Sequence, residues 1–219
     1  MIAAVVFDLD GVIVDSEQVW DEVRERYTRE SGGTYIETAT RDMMGMSAPE
    51  WSRYMSQRLG VPGTPAEINA AVVERMLERY GEAPPLIDGA VDAVRAIAAR
   101  WPVAIASSSN PELIEVVLRV SGLAQVVRVA VSSQEVARGK PAPNVYHEAA
   151  RRLGVPAERC AAVEDSHSGI RSAKAAGMLT IAIPNPGFQP GEEALALADL
   201  VLDSIADLTV DAVESIDPD

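Results

Sequence analysis

A single cysteine in 219 residues, Cys160, leaves the chain without a disulfide framework. It opens the apolar run Cys160-Ala161-Ala162-Val163 and reads as a small core residue. Long apolar stretches are missing too, since no run reaches the length that spans a bilayer. The N-terminus has no basic flank before its apolar residues, and two aspartates end that stretch early, so it does not read as a secretory signal. Basic residues are scarce: 19 Lys and Arg stand against 33 Asp and Glu, a net charge of −14. That balance argues against binding nucleic acid or an anionic membrane. An anionic substrate would depend on local help from a metal ion, a lysine and backbone N–H groups. Internal repeats and low-complexity segments are also absent, and nothing signals an oligomeric state. What remains is a cytoplasmic globular chain, 47% hydrophobic and 24% charged. It is long enough to bury a sizeable core as one domain or one domain with a smaller insert.

The stretch that organises the chain is Ala3-Ala4-Val5-Val6-Phe7-Asp8-Leu9-Asp10-Gly11. A run apolar at every position predicts a strand covered on both faces, as in a parallel sheet. Its carboxyl end is where an open α/β sheet binds its ligand. Asp8 and Asp10 are two residues apart, so in an extended chain their side chains lean the same way. Such a pair repels itself unless a cation or a proton intervenes, and a divalent metal beside a reacting group is its simplest use.

Further along, three capping boxes predict helices. Asp15 with Gln18 opens one that runs from Ser16 to Ser31 and stops at Gly32-Gly33. Ser47 with Glu50 opens one that stops at Gly60, and Thr64 with Glu67, with Pro65 first in the helix, one that stops at Gly81. Beyond Pro84-Pro85 the pattern changes. Asp88 caps a helix to about Arg100, and strands at Val103–Ala106, Val126–Val131, Ala161–Val163, Leu179–Ile183 and Leu200–Leu202 alternate with helices. Ser109 with Glu112 suggests a further box. The predicted fold class is α/β: a doubly wound parallel sheet with a helical cap, residues 16–83, inserted into a core of residues 1–15 and 84–219.

Four strand ends carry useful chemistry: Asp8 and Asp10, then Ser107, then Lys140 in the turn Arg138-Gly139-Lys140-Pro141-Ala142-Pro143, then Glu164-Asp165. In a parallel sheet these ends share one edge. Carboxylates, a hydroxyl and a lysine are what phosphoryl transfer through an aspartate needs. Phe7-Asp8-Leu9-Asp10-Gly11-Val12, Ala106-Ser107-Ser108, Gly139-Lys140-Pro141 and Val163-Glu164-Asp165-Ser166 resemble, in order and spacing, the four motifs of the haloacid dehalogenase-like superfamily. The insert after the first motif resembles subfamily I, the group of phosphoglycolate phosphatase and β-phosphoglucomutase.

The resemblance implies a role for each matching residue. Asp8 attacks phosphorus. Asp10 is acid, then base, and its main-chain carbonyl binds Mg²⁺. Asp165 completes the metal site with Asp8, while Glu164 is a ligand or supports one. Ser107, Ser108 and Lys140 bind the phosphoryl oxygens. An aspartate at position 10 implies phosphate-ester chemistry rather than dehalogenation. The expected partner is a small phosphorylated substrate such as a sugar phosphate. A phosphomutase and a catalytically quiet binding protein on the same fold are the alternatives. Against the mutase, Trp20 stands where the resemblance implies a histidine, and Ala48 follows Gly45-Met46-Ser47 where it implies an arginine. Trp20, Met43, Met44, Met46 and Trp51 read chiefly as cap core, with the loop Met44-Gly45-Met46-Ser47 a candidate to face the site. His147, His167, Arg41 and Arg53 read as surface residues.

Overall fold

The computed structural model describes residues 1–43, 46–187 and 189–217. Met44 and Gly45, half of the loop singled out above, lie outside the described residues. β1 (Ala4–Phe7) is followed by α1 (Glu17–Glu30), α2 (Ala39–Met43), α3 (Ala48–Arg58) and α4 (Pro65–Glu82). Then come α5 (Ala90–Ala98), β2 (Val103–Ser107), α6 (Pro111–Val120), β3 (Val127–Ser132) and α7 (Asn144–Leu153). The chain continues through β4 (Cys160–Glu164), α8 (His167–Ala175), β5 (Leu179–Ala182), α9 (Glu192–Leu195), β6 (Leu200–Val201) and α10 (Val210–Glu214). The six strands form one parallel sheet in the order β3-β2-β1-β4-β5-β6. This is the doubly wound arrangement, and the direction of winding reverses between β1 and β4.

β1 is buried along its whole length because both faces are covered. Val5 and Phe7 join Val103, Ile105, Ala161 and Val163 in the larger core cluster. Ala4 and Val6 join Ala104, Ala106 and Ala162 on the other side, against Val145, Tyr146 and Ala149 of α7. The alanines leave space on that face for the fully buried Tyr146. Cys160 is a buried core residue there, and burial pushes its thiol up to about 11, which keeps it unreactive.

Two of the boxes form as expected, at Ser47 with Glu50 and at Thr64 with Glu67. The other two, Asp15 with Gln18 and Ser109 with Glu112, do not form, because each helix begins one residue later, after Ser16 and after Asn110. α1 starts after Ser16 with no side-chain cap, because the Ser16 hydroxyl donates to Asp10 instead; Asp15 is exposed. α6 starts after Asn110, and the Ser109 hydroxyl likewise donates to Asp10. α5 follows Gly89, at φ 81°, rather than Asp88. α4 runs through Gly81 to Glu82. The short α2 carries no sequence signal. No helix among the described residues is long and apolar enough to cross a membrane.

Candidate active site

Asp8 is the first residue past β1, and its N–H donates to Val163 of β4 at 2.9 Å. Two central strands therefore deliver their terminal carboxylates to the point where the winding reverses. Lys140 reaches the same point from the turn before α7, entering a cis peptide bond with Pro141. Its Nζ lies 2.9 Å from Asp8 Oδ1 and 2.6 Å from Glu164 Oε1, with all three side chains buried. The Leu9 N–H donates to the same Asp8 oxygen at 2.7 Å.

Glu164 is fully buried and fully engaged. Its Oε1 accepts from Lys140 and from the Tyr146 hydroxyl, each at 2.6 Å. Its Oε2 accepts from the N–H groups of Asp165 and Ser166 and from the Ser166 hydroxyl, at 3.1–3.3 Å. Gly169 on α8 makes room for this carboxylate, and a Cβ there would collide with it. Because the carboxylate is tied down on both oxygens, it cannot move aside cheaply. Gly169→Ala should therefore destabilise the protein by about 1–3 kcal/mol, in the range of an overpacked core. The check is a melting curve, where this corresponds to roughly 2–4 °C per kcal/mol; an unchanged Tm would contradict the packing described.

Burial first, then the charges of Glu164 and Asp10, push the Asp8 carboxyl up to about 8, against the pull of Lys140. Asp165 is raised by burial and by Glu164 and Asp8. Burial alone would lower Lys140, but Asp8 and Glu164 overcome it and hold the ammonium firmly protonated. One ammonium thus faces three carboxyl groups, so ionising all three would leave negative charge in excess.

The residues present fit a hard divalent cation. Oxygens of Asp8, Glu164 and Asp165 lie within 4.8 Å of one another. Asp165 Oδ1 is buried and has no hydrogen-bond partner among the described residues. Gly11, at φ 78°, gives that carboxylate its space: a Cβ there would collide with it. With Glu164 already engaged, Asp8 and Asp165 hold the spare donor capacity. The two raised carboxyls favour the unliganded fold below their unfolded values near pH 4. That contribution is lost as pH rises through the folded values, about 8 for Asp8. A bound cation requires both groups ionised. Millimolar Mg²⁺ should accordingly raise Tm more at about pH 8 than at about pH 5.5. A shift that is zero, or equal at both pH values, would count against a cation at this cluster.

Asp10 has different neighbours. Its Oδ1 accepts from the Ser16 hydroxyl at 2.6 Å and from Trp20 Nε1 at 3.4 Å. Its Oδ2 accepts from the Ser109 hydroxyl at 2.7 Å and the Ser107 hydroxyl at 3.2 Å. Asp8, Lys140, Glu164 and Asp165 thus form one buried cluster, and Asp10 and Ser107 a bonded pair beside it. Ser108 lines a small cavity next to Asp10, together with Trp20, Met43, Met46 and Trp51. Sequence reasoning missed Tyr146, Ser16 and Ser109 as members of the site. His147 and His167 are exposed, and His167 Nδ1 lies 2.9 Å from the Pro190 carbonyl. Arg41 makes a surface pair with Asp42, and Arg53 lines an open cleft that reaches Lys140.

Fold and site together define a hydrolase of the doubly wound α/β class with an acidic, lysine-bearing centre. The family model for haloacid dehalogenase-like hydrolases matches residues 2–177. Hexitol phosphatase B of Escherichia coli (strain K12) is 33% identical over 215 residues, covering 95% of each chain. The crystal structure of CbbY from Rhodobacter sphaeroides in complex with phosphate matches with a TM-score of 0.87 and 29% identity, over 98% of this chain and 100% of that one. A mutant of CbbY in complex with xylulose-(1,5)bisphosphate matches at 0.84 and 29%, over 95% and 96%. β-Phosphoglucomutase from Clostridium difficile, at 20% identity and a TM-score of 0.82 over 99% and 97%, shares the fold. The chain belongs to the haloacid dehalogenase-like hydrolase family.

Proposed function

We propose that this enzyme hydrolyses a small phosphorylated metabolite, such as a sugar phosphate, through a phosphoryl group carried on Asp8, with Mg²⁺ as cofactor. The supporting observation is the placement of Lys140 between Asp8 and Glu164. A carboxylate that attacks a phosphate dianion must overcome repulsion, and a fixed, fully protonated ammonium beside the attacking oxygen reduces it. Ser107 and Ser108 complete the contacts to the phosphoryl oxygens. Asp8, Asp165 and the Asp10 main-chain carbonyl hold the cation, with Glu164 orienting Lys140 behind them. When bound, Mg²⁺ supplies further positive charge to the phosphoryl oxygens.

Asp10 protonates the leaving oxygen as the Asp8–phosphorus bond forms. It then takes a proton from the water that cleaves that bond, which frees the Asp8 carboxylate and restores the protonated Asp10. Residues 16–83 act as a cap over the core of residues 1–15 and 84–219, and the enzyme works in the cytoplasm.

A phosphomutase would use the same core groups, but Trp20 favours the hydrolase. Its indole N–H donates to Asp10 and cannot take up a proton in exchange. Given β-glucose 1-phosphate with a trace of the bisphosphate and Mg²⁺, the enzyme should release free phosphate in step with substrate loss. Rapid formation of glucose 6-phosphate with little free phosphate would make it a mutase. A catalytically quiet binding protein would release none from a screen of phosphorylated metabolites.

A further inference from the structure

Arg24 of α1 is 7% exposed, yet its guanidinium has no hydrogen bond or ion pair among the described residues. It lies against two tryptophans, 4.6 Å from the ring centre of Trp20 and 5.1 Å from that of Trp51. The aromatic faces compensate part of the cost of burying the charge. They offer no acceptor to its N–H donors, and the buried Nε has no partner among the described residues. Arg24 lines the small cavity beside Asp10, together with Glu17 and Asn110. Asn110 is 3% exposed, and its Oδ1 is a buried acceptor without a donor among the described residues. The cavity therefore offers both donors and acceptors, and it begins at the residue that would protonate the leaving oxygen.

Resting on the hydrolase reading, we propose that this cavity binds the uncharged, hydroxyl-bearing end of the leaving group, with Arg24 donating to its oxygens and Glu17 and Asn110 accepting from its hydroxyls. The preferred substrate is thus the monophosphate of a small polyol or sugar, not a bisphosphate or a nucleotide. A hydroxyl both donates and accepts, so it can satisfy Arg24 and Asn110 together. A second phosphate or a carboxylate only accepts. It would leave Asn110 Oδ1 unsatisfied and would add charge where one guanidinium already faces two carboxylates, Asp10 and Glu17. The volume of about 60 Å³ is far below the roughly 300–1,000 Å³ of pockets that take drug-sized ligands. A short hydroxylated chain suits it and a nucleobase does not.

The test compares sorbitol 6-phosphate, xylulose 1,5-bisphosphate and acetyl phosphate, which has no hydroxyl on its leaving group. The wild type should show its highest kcat/KM on sorbitol 6-phosphate. In Arg24→Met the ratio of kcat/KM for sorbitol 6-phosphate to that for acetyl phosphate should fall roughly ten- to a hundredfold, the range for lost hydrogen bonds to a charged group. Arg24→Lys, which keeps the charge and loses the fork, should fall between. Glu17→Gln should raise the relative rate on the bisphosphate.

Binding of sorbitol 6-phosphate to Asp8→Asn, followed by tryptophan fluorescence, should weaken by a similar factor when Arg24→Met or Arg24→Lys is added. This readout needs no turnover and retains a folded partner if the methionine variant is lost. Preference of the wild type for the bisphosphate would overturn the proposal, as would unchanged ratios and unchanged binding in the Arg24 variants. Release of phosphate from none of the three esters would instead sink the hydrolase reading, and the binding series would still decide what the cavity recognises.

Discussion

Asp8→Asn should abolish turnover, by about four orders of magnitude or more, and leave the protein folded. The amide keeps the shape of the carboxylate and can still accept from the Leu9 N–H. Lys140 loses one partner but retains Glu164 at 2.6 Å. An ionised Asp8 is costly in this buried, acidic centre, as its raised pKa shows. Tm of the metal-free variant should therefore equal or exceed that of the wild type, most clearly at about pH 8 and above, where the wild type has lost the stability its raised carboxyl contributes. The two readouts move apart: the rate collapses and the melting temperature does not. Turnover within tenfold of wild type would remove Asp8 from the role of nucleophile.

Asp10→Asn should cost roughly 10²- to 10⁴-fold in rate, the range for a lost general acid and base. The fold should tolerate it. With the amide oxygen turned to Ser16 and Trp20, the NH₂ faces the hydroxyls of Ser107 and Ser109, which can rotate to accept. The size of the loss should depend on the leaving group. An alkyl phosphate needs a proton on the departing oxygen, whereas the p-nitrophenolate of p-nitrophenyl phosphate leaves without one. The alkyl ester should suffer the larger fall, and equal losses on both would deny Asp10 the part of leaving-group acid.

The core was legible because its signals are local. An apolar run ending in Asp8, Ser107 or Glu164 needs no tertiary information to be read as a buried strand with polar chemistry at its end. The boxes at Ser47 and Thr64 formed because each hydroxyl and its glutamate are three residues apart and have no competitor. Ser109 carries the same local signal, but Asp10 takes its hydroxyl from 99 residues away; the signal at Asp15 is lost because α1 begins after Ser16, whose hydroxyl also goes to Asp10. A cap hydrogen bond between neutral groups gives way to one with a carboxylate, and only the folded chain shows which is available.

Tyr146 looks like any core aromatic until its hydroxyl is seen on Glu164. Gly169 looks like a poor helix residue until that carboxylate fills the space beside it. Arg24 has no motif around it. Its isolation depends on α1 and α3 bringing Trp20 and Trp51 together, with ring centres 5.9 Å apart. These three positions depend on contacts distant in sequence, and no periodicity or spacing encodes them.

The phosphoryl group on Asp8 is the centre of the account, and rapid quenching tests it most directly. Enzyme and Mg²⁺ are mixed with sorbitol 6-phosphate carrying a radiolabelled phosphate, stopped in acid within one turnover, digested, and the labelled peptide sequenced. Label should appear on the peptide that contains Asp8, stable to acid and released by hydroxylamine as an acyl phosphate is, and it should be absent from Asp8→Asn. Full phosphate release by the wild type with no label on that peptide at any time within the turnover would contradict the account.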